Sequence, residues 1–213
     1  MENKIIIQQC TPAQVSAVAL LHRKCISKGF ISNLGRTFLS ALYNSINRSP
    51  YSKVFVAYDT EQKNPAGFIS AAIDTRAMYR HIVLRRGWLF ALLLLPNIFR
   101  PSVVKKILET LLYPFHAGDN RDKAVQDDSI SAELLSIAVD EKYRGQGIGK
   151  RLVLKMERYF MHAGVTEYKT VTFSQDVNAN AFYRFCGFTR QKTFTHHKNV
   201  MSEYVKHLSG APQ

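Results

Sequence analysis

Ala132-Glu-Leu-Leu-Ser-Ile-Ala-Val-Asp-Glu-Lys-Tyr-Arg-Gly-Gln-Gly-Ile-Gly-Lys-Arg-Leu-Val153 decides the reading of this chain. An apolar run, Leu134 to Val139, predicts a strand. A short polar turn follows and opens into Arg144-Gly145-Gln146-Gly147-Ile148-Gly149. Leu152, Val153, Leu154, Met156 and Phe160 then predict a helix. Three glycines at alternate positions remove Cβ atoms from a strand-to-helix turn. Backbone N–H groups can then converge on an anion at the positive end of the helix dipole. Lys150 and Arg151 add full positive charge there. The turn reads as a pyrophosphate cradle, with an ordinary glycine turn capping a helix as the bland alternative.

The spacing argues against two common nucleotide sites. A dinucleotide fold carries Gly-x-Gly-x-x-Gly early in a βαβ unit. Here the spacing is Gly-x-Gly-x-Gly, late in the chain. A Walker loop needs Gly-Lys-Ser/Thr, and Gly149-Lys150-Arg151 lacks the hydroxyl that would hold magnesium.

At these residues the chain resembles the GNAT superfamily of acyl-CoA-dependent N-acyltransferases. Arg144, Gly147 and Gly149 fill its Gln/Arg-x-x-Gly-x-Gly/Ala turn. Downstream, Thr170-Val-Thr-Phe173 reads as a strand. Ala179-Asn-Ala-Phe-Tyr-Arg-Phe-Cys-Gly-Phe188 then resembles the family's next helix, matched at Ala179, Phe182, Tyr183, Gly187 and Phe188. The resemblance implies an α/β fold: a mixed, mostly antiparallel central sheet flanked by helices. It implies acetyl-CoA, or another short acyl-CoA, as co-substrate. Cofactor contacts then fall on Ile137, Ala138 and Val139, where a bulge frees strand backbone for the pantetheine arm. The pyrophosphate falls on Arg144, Gly145, Gln146, Gly147, Ile148, Gly149 and Lys150. Tyr183 takes the place of the general acid, its phenol ordinarily less acidic than a thiol. Glu133, at the head of the cofactor strand, is the candidate base, ahead of His22 and His116. In one respect the chain departs from the pattern. The position seven residues before the tyrosine, often Asn in the family, is Asp176, so Asn178 is the candidate replacement.

The chain of 213 residues is 46% hydrophobic, enough for one domain with a proper core. Cys10, Cys25 and Cys186 are odd in number and show no Cys-x-x-Cys spacing, so free buried thiols are expected and no metal site. Such thiols, and an N-terminus without signal-peptide character, point to the cytoplasm. The apolar run Gly87 to Phe99 is too short to span a bilayer and holds Pro96. The formal charge of +13 suits an anionic small substrate. No zinc-finger or RNA-binding signature accompanies it, so nucleic acid is not the expected partner.

Along the chain, Lys4 to Gln9 predicts a first strand. Thr11-Pro12-Ala13-Gln14 is a helix start, with Val15, Val18, Leu20 and Leu21 as the buried face. A second helix after Gly35 presents Phe38, Leu39, Leu42 and Ile46. Lys53 to Tyr58 and Ala66 to Ile73 predict strands around a polar turn. Residues 75–130 then read as a helical insertion within a single domain, 1–213. It holds Arg76, Arg80, Arg85, Arg86 and Arg100, an apolar run around Trp88, a helix over Val103 to Tyr113 and a polar loop over 118–128. It reads as a wall or lid of the substrate site, a homodimer contact, or a membrane-surface contact through 76–100. The segment Leu21-His22 … Gly29-Phe-Ile-Ser-Asn-Leu-Gly35 is loosely similar to GNAT enzymes that acylate nucleotide-linked amino sugars. That implies such a sugar as the amine acceptor. A protein or peptide amine, a polyamine or an aminoglycoside is the alternative acceptor, and a non-catalytic CoA sensor the alternative of another class.

Overall fold

The computed structural model describes residues 4–26, 31–95, 130–196 and 199–208. In chain order the elements are β1 (Ile5–Gln9), α1 (Val15–Cys25), α2 (Gly35–Arg48), β2 (Ser52–Asp59), β3 (Asn64–Ala72) and α3 (Thr75–Leu94). After these come β4 (Glu133–Val139), α4 (Ile148–His162), β5 (Glu167–Phe173), α5 (Val177–Phe185), β6 (Thr189–His196) and β7 (Asn199–His207). The predicted helix over 103–113, the loop over 118–128, Arg100 and His116 lie outside the described residues.

Seven strands form one sheet in the order β1-β2-β3-β4-β5-β7-β6. Every neighbouring pair is antiparallel except β4–β5. The central strands are buried on both faces, which is why β2 and β3 read as near-continuous apolar runs. On one face Val54, Val56, Phe68 and Ala138 pack with residues of α1, α2 and α3. On the other Phe55, Ala57, Ile69 and Leu134 pack under α4 and α5. Ile148, Leu152, Val153, Met156 and Phe160 bury one stripe of α4. Each such side chain stabilises by about 1.5–3 kcal/mol relative to exposure.

Three sequence expectations change. Leu20 is 52% exposed, because Val15, Val18, Ala19 and His22 define the inner face of α1 and Leu20 lies across the helix from them. Leu154 is likewise exposed on α4. Residues 189–196 and 199–207, for which the sequence predicted no element, form the antiparallel pair β6–β7. Its polar alternation lacks an apolar period because β6 lies at the sheet edge.

The segment from residue 75 begins with α3, capped by Asp74, whose side chain accepts from Ala77 N–H at 2.8 Å. Met78, Ile82 and Phe90 bury one side of it. Leu84, Trp88, Leu92 and Leu95 stand exposed among the described residues.

Candidate active site

β4 and β5 run parallel but share a single registered pair, Glu133 with Lys169. Thr170 extends the contact by donating its hydroxyl to Leu134 C=O at 3.1 Å. Beyond that the strands part, because β4 bends at a bulge. Ser70 pairs with Ser136 and Ala71 with Leu134, which leaves Leu135 as the extra residue. The bulge therefore sits two residues before Ile137. It turns Leu135, Ser136 and Ala138 toward the α1–α2 face, while Ile137 and Val139 pack with α4 and α5. Among the described residues no strand pairs with the β5 side of Ile137 to Val139, so backbone of Ile137 and Val139 is on offer there to an extended ligand; Val139 C=O already takes Arg144 Nε, and Ala138 C=O points toward Gly67 of β3 instead.

The glycine turn follows directly. Gly145 and Gly147 have φ of 76° and 71°, conformations that side chains disfavour. A Cβ on either would meet nothing within 4 Å among the described residues, so the space over the turn is open. The first intrahelical bond of α4 is Arg151 N–H to Gly147 C=O at 3.1 Å. The amides of Ile148, Gly149 and Lys150 precede it and face the open end. The turn thus fits an anion such as a pyrophosphate.

Two of the turn's residues act differently from the simple cradle. Gly149 lies inside α4, and a Cβ there would come 2.9 Å from the Phe182 ring. Its missing side chain lets α4 and α5 approach. Arg151 turns away and donates to Ile5 C=O at 2.7 Å, tying α4 to β1. The Ile148 side chain is core, so only its amide is on offer. Arg144 and Gln146 are exposed, Arg144 donating from Nε to Val139 C=O at 3.3 Å. Lys150 Nζ lies 5.4 Å from the centre of the Phe185 ring.

The turn is held from below. Asp140 pairs with Lys24 of α1 at 2.8 Å. The buried Tyr143 hydroxyl donates to Asp59 at 2.7 Å. Asp140 N–H donates to Ala66 C=O at 2.8 Å.

Tyr183, on α5, is buried against Phe182, Phe188 and Tyr204. Burial pushes its phenol up to about 12, and a hydrogen bond with the Thr170 side chain offsets part of that. Through Thr170 the phenol sits where β4 and β5 part. Glu133 lies close enough for its charge to act on the same phenol. The fold therefore brings together two candidates 50 residues apart in sequence. Glu133 also meets the Thr75 hydroxyl at 3.4 Å, at the start of α3. His22 sits apart, buried on the α1–α2 face.

Asp176 caps α5, its side chain accepting from Ala179 N–H at 3.0 Å. That local role explains an acid at this position. Asn178 is exposed on the first turn of the same helix. Asn180 is structural: it donates to Phe173 C=O at 2.9 Å and accepts from Tyr204 at 2.8 Å. Reasoning from sequence missed Thr170, whose only signal was its place at the head of a predicted strand.

A parted β4–β5 pair, a glycine turn at a helix start and a phenol between them are features that the sequence profile of the Acetyltransferase (GNAT) family spans, matching residues 21–188. The chain belongs to the GNAT acetyltransferase family. It is accordingly an N-acyltransferase that uses acetyl-CoA. Solved structures repeat the fold at low identity. Ard1 from Thermoplasma volcanium is 12% identical with a TM-score of 0.60, over 98% of this chain and 100% of that one. The ribosomal-protein-S18-alanine N-acetyltransferase from Escherichia coli is 13% identical with a TM-score of 0.58, over 98% and 97%. A chimera of the Vibrio cholerae spermidine N-acetyltransferase SpeG is 12% identical with a TM-score of 0.58, over 96% of each. No curated protein matches the sequence. Among the described residues, no helix is long and apolar enough to cross a membrane.

Proposed function

We propose that this GNAT enzyme acylates the primary amine of a nucleotide-linked amino sugar, in the cytoplasm. The observation that carries the acceptor assignment is the position of α3. Thr75 N–H donates to Ser131 C=O at 3.0 Å, which sets the head of α3 beside Glu133 at the head of β4. Arg76 and Arg80 follow on the first turns of α3 and are exposed. Arginine binds phosphate bidentately, so this wall suits the diphosphate of an anionic acceptor. The net charge of +13 agrees with two anionic substrates in one cleft.

In this reading acetyl-CoA supplies the activated acyl group, and the chain supplies position and protons. The open β4 backbone at Ile137 to Val139 aligns the pantetheine arm, and the amides of residues 147–150 take the pyrophosphate. Arg144, Gly145 and Gln146 border that anion, and Asn178, exposed on the first turn of α5, is the side chain offered to the pantetheine arm. Glu133 accepts the proton that the amine loses as the C–N bond forms. Tyr183 gives its proton to the sulfur as the C–S bond breaks. A phenol held at about 12 stays protonated until a thiolate appears, which suits an acid and not a base.

The test is a thiol-release assay with acetyl-CoA against UDP and dTDP amino sugars, peptides and polyamines. The reading expects nucleotide sugars to be acylated, and Arg80→Ala to raise the acceptor's KM while sparing that of acetyl-CoA. Acylation of peptides or polyamines alone overturns the acceptor assignment and leaves the N-acyltransferase.

A further inference from the structure

Behind the β4 bulge lies a buried polar chain that none of the roles above uses. The Ser70 and Ser136 hydroxyls are 2.7 Å apart. Ser136 meets the Tyr43 hydroxyl at 2.9 Å. Tyr43 meets His22 Nδ1 at 2.5 Å, and His22 Nε2 meets Ser32 Oγ at 3.0 Å. Ser32 closes the chain by donating to Ile26 C=O. Ser70, Tyr43, His22 and Ser32 are buried, whereas Ser136 is half-exposed at the parted edge of β4.

The far end of the chain fixes every proton in it. A carbonyl only accepts, so the Ser32 hydroxyl spends its one hydrogen on Ile26. Ser32 must then accept from His22, whose Nε2 carries the ring hydrogen. Neutral imidazole has one N–H, so Nδ1 is bare and accepts from Tyr43. Burial keeps the ring in that neutral form at ordinary pH. Tyr43 has one hydrogen and has spent it, so Ser136 donates to Tyr43. Ser70 in turn donates to Ser136.

We infer that this chain locks Ser136 as an acceptor-only oxygen that receives an N–H from the acyl-accepting amine and aims its lone pair at the acyl carbon. Ser136 has one lone pair left and no hydrogen to offer outward. The cofactor turn and Tyr183 belong to the α4–α5 side of the sheet, and Ser136 faces the α1–α2 side, so the amine reaches the parted strands from there. Ser136 touches the substrate; Tyr43, His22 and Ser32 are positioning residues that act through it. The inference rests on acyl transfer at the β4–β5 parting and not on which amine is the acceptor.

The experiment is a double-mutant cycle on whichever amine the wild type acylates, with steady-state thiol release, CoA affinity by calorimetry and a melting curve for each variant. Ser136→Ala should lower kcat/KM for the amine about tenfold, the value of one hydrogen bond, with acetyl-CoA KM and CoA affinity unchanged. Tyr43→Phe frees the Ser136 hydroxyl to turn outward and donate, and should lower it similarly. The double variant should be no worse than Ser136→Ala alone, and Ser136→Thr should keep most of the activity. Ser136→Ala within about twofold of wild type, a double variant showing the product of the two losses, or a loss that falls on acetyl-CoA instead, each overturns the inference alone. A wild type that acylates no amine overturns the acyl-transfer reading and this one with it.

Discussion

Gly67 sits in β3 opposite Val139, at the last rung before the cofactor turn. A Cβ built on it comes 2.9 Å from the Ala138 carbonyl oxygen, 3.2 Å from Val139 Cγ2 and 3.3 Å from Leu152 Cδ1. Ordinary contacts begin near 3.4 Å, so β4 must move by about half an ångström. It cannot move freely, since Asp140 N–H is already bonded to Ala66 C=O. Overpacking of this kind costs about 1–3 kcal/mol. Stiffening the unfolded chain returns about 0.4–1 kcal/mol. Gly67→Ala should therefore destabilise by about 1–2 kcal/mol, or about 2–8 °C in Tm for a chain of this size. It should also weaken CoA binding, because the displaced Ala138 carbonyl lies seven residues before Gly145 and nine before Gly147, whose φ of 76° and 71° shape the amide-bearing turn. Gly87 provides the internal control. It lies inside α3, and a Cβ there meets only Val83 Cγ1 at 3.8 Å among the described residues. Gly87→Ala should stabilise by about 0.5–1 kcal/mol through helix propensity. Scanning calorimetry with and without CoA reads both. A Gly67→Ala protein that melts at or above wild type would refute the packing argument, as would two variants shifted in the same direction.

Gly147→Val combines a strained φ with a side chain in the open space over the turn; CoA affinity by titration calorimetry should fall sharply in a folded protein, and unchanged affinity removes the anion cradle from this turn. Tyr183→Phe keeps the ring and deletes the acid, so turnover should fall about 10²–10⁴-fold with little change in cofactor affinity, whereas a variant within about twofold of wild type returns Tyr183 to packing. His22 is held neutral by burial, its pKa pushed down to about 4. The unfolded chain takes up that proton first, near pH 6.5, so stability is full above that pH and is lost as pH falls toward 4. The loss amounts to about 3 kcal/mol. Denaturant titrations from pH 7 to 4 should show a shallower decline for His22→Gln, and parallel declines would contradict it.

The fold and the glycine turn after β4 were legible along the chain because they rest on local signals. Glycines at a strand-to-helix turn, the 3.6-residue stripe on α4 and the Thr11-Pro12 helix start each declare themselves within a few residues, and the structure places these elements there, with Leu154 and Leu20 turned outward against the expected faces. The β6–β7 pair was not legible, since an edge strand buries too little to impose a pattern on its residues.

The sequence by itself determined that a GNAT turn follows β4 and that Tyr183 and Glu133 are the titratable groups to watch. Tertiary structure alone decided that they lie near one another. The Glu133 charge reaches Tyr183 only because β4 and β5 touch at one rung and then part at a bulge, a register that no local pattern encodes. Gly149, read as one more cradle glycine, is spaced by the Phe182 ring of another helix. His22 looked like a lone histidine until Ser32, Tyr43 and Ser136, brought from three other segments, ran hydrogen bonds through it. Periodicity reports which face of an element is dry. It carries no record of which polar group from a distant element completes a hydrogen bond there, because that depends on side-chain direction after the layers have packed.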